Sequence, residues 1–222
     1  MELSAALVSP AINRAMATVS AYRAQFVKPL LVGSVGYFLI DTVQIFLPNG
    51  GAGLQFAYTA LSIVLQIWVI QLVLSDGQGA QSFDGNGFGR MFGIGFLSGL
   101  AILLGLLLFI LPGLYLMGRW SIAGPAMMAE KSGVIDSLKR SWHVLEHDWL
   151  AGSLLTLLFG LLGLAPIVAT MFTIESSAPV QLILAAIINP LVVAAAIMST
   201  ASLTSLYLLL TSSQSQAADI FG

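Results

Sequence analysis

Cysteine is absent from this chain, so it carries neither a disulfide nor a thiolate metal site. Charge is nearly as scarce: Asp, Glu, Lys and Arg together make up 8% of 222 residues, against 58% hydrophobic residues. So little polar surface cannot coat a soluble globule, and a polytopic membrane protein is the class that remains. The formal net charge of −2 offers no basic face, which excludes nucleic acid as an expected partner. Met1 to Ser20 lacks a basic stretch followed by a continuous apolar core, so a cleavable signal peptide is not expected. The first span is expected to act as the uncleaved insertion signal.

What is present is a set of six apolar stretches, near 28–47, 54–74, 91–111, 114–130, 150–174 and 179–211. Roughly 20 helical residues at about 1.5 Å each cross the hydrocarbon core, and the first three stretches meet that length. The basic residues sit in alternate connections. Arg14, Arg23 and Lys28 precede the first stretch, Arg90 lies between the second and third, and Lys131, Lys139 and Arg140 lie between the fourth and fifth. The connections Pro48 to Gly53, Pro112–Gly113 and Glu175 to Ala178 contain none. The positive-inside bias therefore places both termini of this multi-pass protein in the cytoplasm. The fourth stretch is short and holds Arg119, Gly124 and Pro125, so a broken continuation of the third is the alternative. The last is overlong, and tilt, a kink at Asn189–Pro190 or a cytoplasmic extension would each absorb the excess.

Two segments have the periodicity of helices lying in the membrane interface. Residues 10–26 space Ile12, Met16, Val19, Tyr22 and Phe26 at three- and four-residue intervals. Residues 133–149 place Val134, Ile135, Leu138, Trp142, Leu145 and Trp149 on one stripe, opposite Asp136, Lys139, Arg140, His143 and His147. Trp142 and Trp149 are the candidate interfacial anchors. The expected fold is all-α: a single membrane domain over 1–222, with spans one to four in 28–130, spans five and six in 150–211, and a flexible tail over 212–222.

Several motifs point to chemistry. His143-Val-Leu-Glu146-His147 has the H-x-x-E-H spacing in which two histidines one turn apart bind zinc and the glutamate activates water. No distal carboxylate supplies an evident third ligand, so an ordinary polar face is the preferred reading and neither metal nor cofactor is expected. Asp76-Gly-Gln-Gly and Asp84-Gly-Asn-Gly-Phe-Gly-Arg90 lack the Gly-Lys-Ser/Thr ending of a phosphate loop and the ligand spacing of a calcium loop, and read as a flexible connection. Gly95 and Gly99 have the G-x-x-x-G spacing that lets helices approach closely, and are the candidate packing pair.

A charge in hydrocarbon is costly and is expected to be paired or to face water. Asp41 and Arg119 both fall about 8–9 Å below the outer boundary of these spans, which makes them a candidate ion pair, either a structural brace or a substrate site. Gln44, Gln66, Gln71 and Asn189 extend a polar path or make single interhelical bonds.

The run Leu111-Pro-Gly-Leu-Tyr-Leu-Met-Gly-Arg119-Trp-Ser-Ile-Ala-Gly-Pro-Ala-Met-Met-Ala-Glu130, followed by Gly133-Val-Ile-Asp-Ser-Leu-Lys-Arg140-Ser-Trp142, resembles the membrane domain attached to some glycerophosphoryl diester phosphodiesterases and the related YciC-like bacterial inner-membrane proteins. The match covers about 111 to 150 and implies the six-span layout elsewhere. These residues hold no segment for the soluble barrel that carries phosphodiesterase chemistry, so that activity is not transferred. The expected role is a non-catalytic scaffold or accessory subunit in lipid handling or membrane-complex assembly, with membrane lipid and other membrane subunits as partners. The alternative is a small transporter or lipid-translocating protein. An amphiphile-sized cavity would favour the alternative, and a dry, sealed bundle would favour the scaffold.

Overall fold

The computed structural model describes residues 5–47, 51–77, 85–163, 168 and 177–221, and among them every regular element is a helix. In chain order these are α1 (Val8–Ala21), α2 (Arg23–Phe46), α3 (Gly51–Leu74), α4 (Gly85–Leu108), α5 (Ile110–Trp120), α6 (Ala123–Glu130), α7 (Val134–Val144), α8 (Trp149–Gly163) and α9 (Ala178–Phe221). Four of them, α2, α3, α4 and α9, are long and apolar enough to cross a membrane. A fifth span arises if α7 and α8, bent by 110° across a short break, count as one. The six expected spans are thus present as four or five. The fourth stretch is divided into α5 and α6, and most of 164–176, the second half of the fifth, lies outside the described residues.

α3 is the central helix. Its second half is apolar except for Gln66 and Gln71, and Ile63, Leu65, Ile67, Val69, Ile70, Leu72 and Val73 are all buried, as expected for a helix surrounded by others. It packs on α2, α4, α6 and α9. It ends in a Schellman motif: Asp76 takes the left-handed position (φ 45°), Gly77 N–H donates to Leu72 O at 2.8 Å, and Asp76 N–H donates to Val73 O at 3.4 Å. The Asp76-Gly-Gln-Gly sequence thus begins as a helix cap, while Asp84 lies outside the described residues and Gly85 to Arg90 form the first turns of α4.

α9 is the second organiser, touching α1, α2, α3 and α8 along its length. Asn189 meets Asp41 of α2, and Tyr207 meets Glu130 of α6. The 18 residues between those contacts rise about 27 Å, close to a hydrocarbon thickness. Beyond Tyr207 the helix continues to Phe221, so the overlong stretch is one helix with Pro190 inside it, and the tail expected over 212–222 extends that helix through 221.

The helix expected in the interface over 10–26 is instead divided at Tyr22. α1 packs on α9 and α8 through Ala11 and Ala15, both fully buried, while Met16 and Tyr22 of the expected stripe are exposed. Phe26 belongs to α2. Small residues one turn apart let two backbones approach, and here that contact outweighs the larger apolar stripe. α7 departs in the same direction, since its buried positions are Ser137, Leu138, Ser141 and Val144, with Ile135 exposed.

The connections that carry Arg23, Arg90 and Lys131 meet at one end, and Arg119 lies apart from them. Gly77, at φ 74°, sits against the Tyr22 ring, which brings the α1–α2 corner to the end of α3. Arg90 Nη1 donates to Lys131 O at 3.0 Å and Ser132 O at 3.3 Å, fastening the start of α4 to the α6–α7 turn.

Candidate functional site

α3 carries Gln55, Thr59, Ser62 and Gln66 at successive four-, three- and four-residue steps, which places all of them on one stripe of a helix whose other positions, Gln71 apart, are mostly apolar. Gln66 Nε2 donates to Ser62 Oγ at 3.1 Å, and the Thr59 hydroxyl donates to Gln55 O at 3.0 Å. The row is about 16 Å long, half the thickness of a hydrocarbon core, and begins at the end opposite the basic residues.

Along that stripe runs an open groove of about 520 Å³. α2 supplies Tyr37, whose ring lies 5.3 Å from that of Tyr58, and α4 supplies the opposite wall with Met91, Phe92, Gly95 and Phe96. A second cavity of about 180 Å³ shares Gln66, Met91 and Gly95 and continues inward to Ser98, Thr200 and the α5–α6 break at Ser121. Gln66 therefore stands where the groove meets the inner cavity. The volume falls within the range of pockets that take small molecules, and aromatic walls with a few polar groups are their usual lining.

The groove owes its width to α4. Gly95 and Gly99 are exposed, and a side chain built at either would touch nothing within 4 Å. The expected G-x-x-x-G seam is thus not an intramolecular one. The close approaches are elsewhere: at Gly105 against Gly113, where a Cβ would come 3.0 Å from backbone, and at Gly118 against the Trp149 carbonyl and Ser153. The first follows from the hairpin between α4 and α5, which turns at Phe109 in extended conformation (φ −159°, ψ 144°) with Pro112 in the first turn of α5, where its missing N–H is tolerated.

The expected pairing of Asp41 with Arg119 does not form. Asp41 Oδ2 accepts from Asn189 Nδ2 at 2.7 Å. Arg119 is 4% exposed, with Cζ 4.2 Å from the Trp142 ring centroid and 5.5 Å from that of Tyr115. The depths do not match because α5 begins at Ile110, earlier than the sequence suggests. Arg119 then lies ten residues past the turn at Phe109, about 15 Å, whereas Asp41 is only five residues from the end of α2. Neither residue lines the groove or the inner cavity.

Glu130 and Arg140 form an ion pair not expected from sequence, with Arg140 Nε donating to Glu130 Oε1 at 2.7 Å and the Tyr207 hydroxyl donating to the same oxygen at 2.9 Å. This contact joins α6, α7 and α9 at the basic end. Trp142 and Trp149, expected as interfacial anchors, both pack edge-on against Tyr115, at 5.7 and 5.2 Å. His143, Glu146 and His147 are exposed, and α7 ends at Val144, so the helix that would hold both imidazoles on one face stops between them. Among the described residues no group of three His, Asp or Glu side chains is placed to hold a metal ion.

Sequence reasoning reached Gln66 but missed Gln55, Thr59, Ser62 and Tyr37. The signal was there, as four polar residues at helical spacing in an apolar run, but a single-residue scan for charge passes over it. No protein-family model, curated protein or solved structure matches the chain.

Proposed function

We propose that this is a non-catalytic, multi-pass protein of the bacterial inner membrane, with both termini cytoplasmic, that handles lipid by taking the polar part of an amphiphile into the groove along α3. The observation that carries this reading is the groove itself, about 520 Å³, opening beside a row of four uncharged polar side chains. In hydrocarbon such a row has few ways to satisfy its hydrogen-bonding groups, and a headgroup passing along it supplies partners while its chains remain in the bilayer. Because the row covers only half a membrane thickness and then meets the inner cavity at Gln66, the reading extends to movement of the headgroup toward the bilayer centre. The resemblance of 111–150 to phosphodiesterase-associated and YciC-like membrane domains supports a lipid-related role without supplying a reaction.

The test is lipid retention. Wild-type protein purified from native membranes in mild detergent is expected to carry a bound amphiphile identifiable by mass spectrometry. The pair Ser62→Val and Gln66→Leu is expected to lower its occupancy about tenfold. Unchanged occupancy in the folded double variant would return the protein to the scaffold reading, which the broad apolar flank of α4 and its tip, Leu106 to Leu111, also supports.

A further inference from the structure

Among the described residues, no acidic side chain pairs with Arg119. Its Nε and Nη1 atoms are buried and make no hydrogen bond, and the side chain is 4% exposed. A guanidinium does not lose its proton in a protein, so the charge persists. Two candidates among the acidic groups are committed elsewhere, the half-buried Asp41 to Asn189 and the exposed Glu130 to Arg140 and Tyr207. The faces of Trp142 and Tyr115 offset part of the charge but supply no acceptor oxygen to the N–H donors.

The position is fixed from several sides. Ser141 Oγ donates to the Arg119 carbonyl at 2.7 Å, Ser153 Oγ donates to Leu114 O at 2.9 Å, and Gly118 and Gly152 let α5 and α8 approach to backbone contact. A cage held this firmly presents its unspent donors in a set geometry. A planar donor array of this kind matches the oxygens of a phosphate or similar oxyanion. Trp120 and Ser121, the next residues along the chain, line the inner cavity, which places the cage behind its wall.

We propose that Arg119, within the cage of Trp142 and Tyr115, binds a phosphate-type oxyanion. The site is separate from the groove, whose residues take no part in it. In one arm, wild-type protein in a neutral detergent is melted, with tryptophan emission as the readout, after addition of phosphatidylglycerol, diacylglycerol or inorganic phosphate. Phosphatidylglycerol is expected to raise the midpoint and diacylglycerol is not; a rise with inorganic phosphate as well would support the same site with a free anion as its ligand. No rise with either phosphate carrier overturns the proposal, whatever becomes of the variants. In the second arm Arg119→Gln is expected to weaken phosphate-carrier binding at least tenfold, Arg119→Lys to weaken it less, and Arg23→Gln to leave it unchanged. Should Arg119→Gln fail to fold, Arg119→Lys against Arg23→Gln decides. Wild-type affinity in the folded Arg119 variants sinks the site, whereas unchanged amphiphile occupancy in the groove variants would sink only the groove reading.

Discussion

Asn189 Nδ2 donates to Asp41 Oδ2 across 2.7 Å, joining α9 to α2 with 148 residues of chain between them. Asn189 is buried and Asp41 half-buried, and the contact pairs a carboxyl with an amide rather than with a cation. A double-mutant cycle between Asp41→Ala and Asn189→Ala, read by unfolding in detergent, is expected to give a coupling of about 0.6–1.7 kcal/mol, the span measured for polar contacts between membrane helices. The cycle between Asp41→Asn and Arg119→Gln is expected to be additive within about 0.5 kcal/mol, because the two residues have separate partners. A larger coupling in that second cycle would reinstate the ion pair.

Glycine substitutions separate the packed seams from the open face. At Gly118 a Cβ would press on the Trp149 carbonyl and Ser153, so Gly118→Ala is expected to destabilise by about 1–3 kcal/mol. Gly99 has open space around it, and Gly99→Ala is expected to be neutral or to stabilise by up to about 1 kcal/mol through helix propensity. Thermal unfolding of the two variants side by side checks this, and equal losses would mean that Gly99 faces a partner.

Tyr207→Phe removes one hydrogen bond to Glu130 and leaves the ring in the core. A loss of about 1–2 kcal/mol is expected, since the acceptor is a carboxylate and the hydroxyl lies on a buried residue. Arg140→Gln is expected to cost less, about 0–1 kcal/mol, because that ion pair is more than a third exposed on the arginine side. The reverse order would place the weight of the contact on the ion pair.

The proposed topology rests on the basic residues that lie between the apolar helices, Arg119 apart. Single cysteines at Gly51, Gly85, His143 and Ser213, all exposed, can be probed in intact cells with an impermeant thiol reagent. Only the cysteine at position 51 is expected to react. Reaction at position 143 would reverse the proposed orientation.

Changing His143 and His147 to alanine is expected to leave the metal content of the purified protein unchanged, since the helix ends between them and both are exposed. Stoichiometric zinc that disappears in the double variant would revive the enzyme hypothesis.

Composition and periodicity alone determined that this chain is an all-helical protein with several segments apolar enough to cross a membrane, because those properties depend on local runs of side chains and on where Lys and Arg fall between them. Which polar residues meet was not legible, since one residue of error at a helix end moves a side chain by about 100° and 1.5 Å. The depth of Arg119 was misjudged in this way when the turn fell at Phe109. The glycine pattern failed for a related reason: spacing shows that Gly95 and Gly99 share a face, but only the packing of neighbouring helices shows that this face is open while Gly105, Gly113 and Gly118 carry the close contacts. Tertiary structure alone turned the polar stripe of α3 into a groove and left Arg119 against Trp142 with no anion among the described residues, because both depend on which helices come together and how closely.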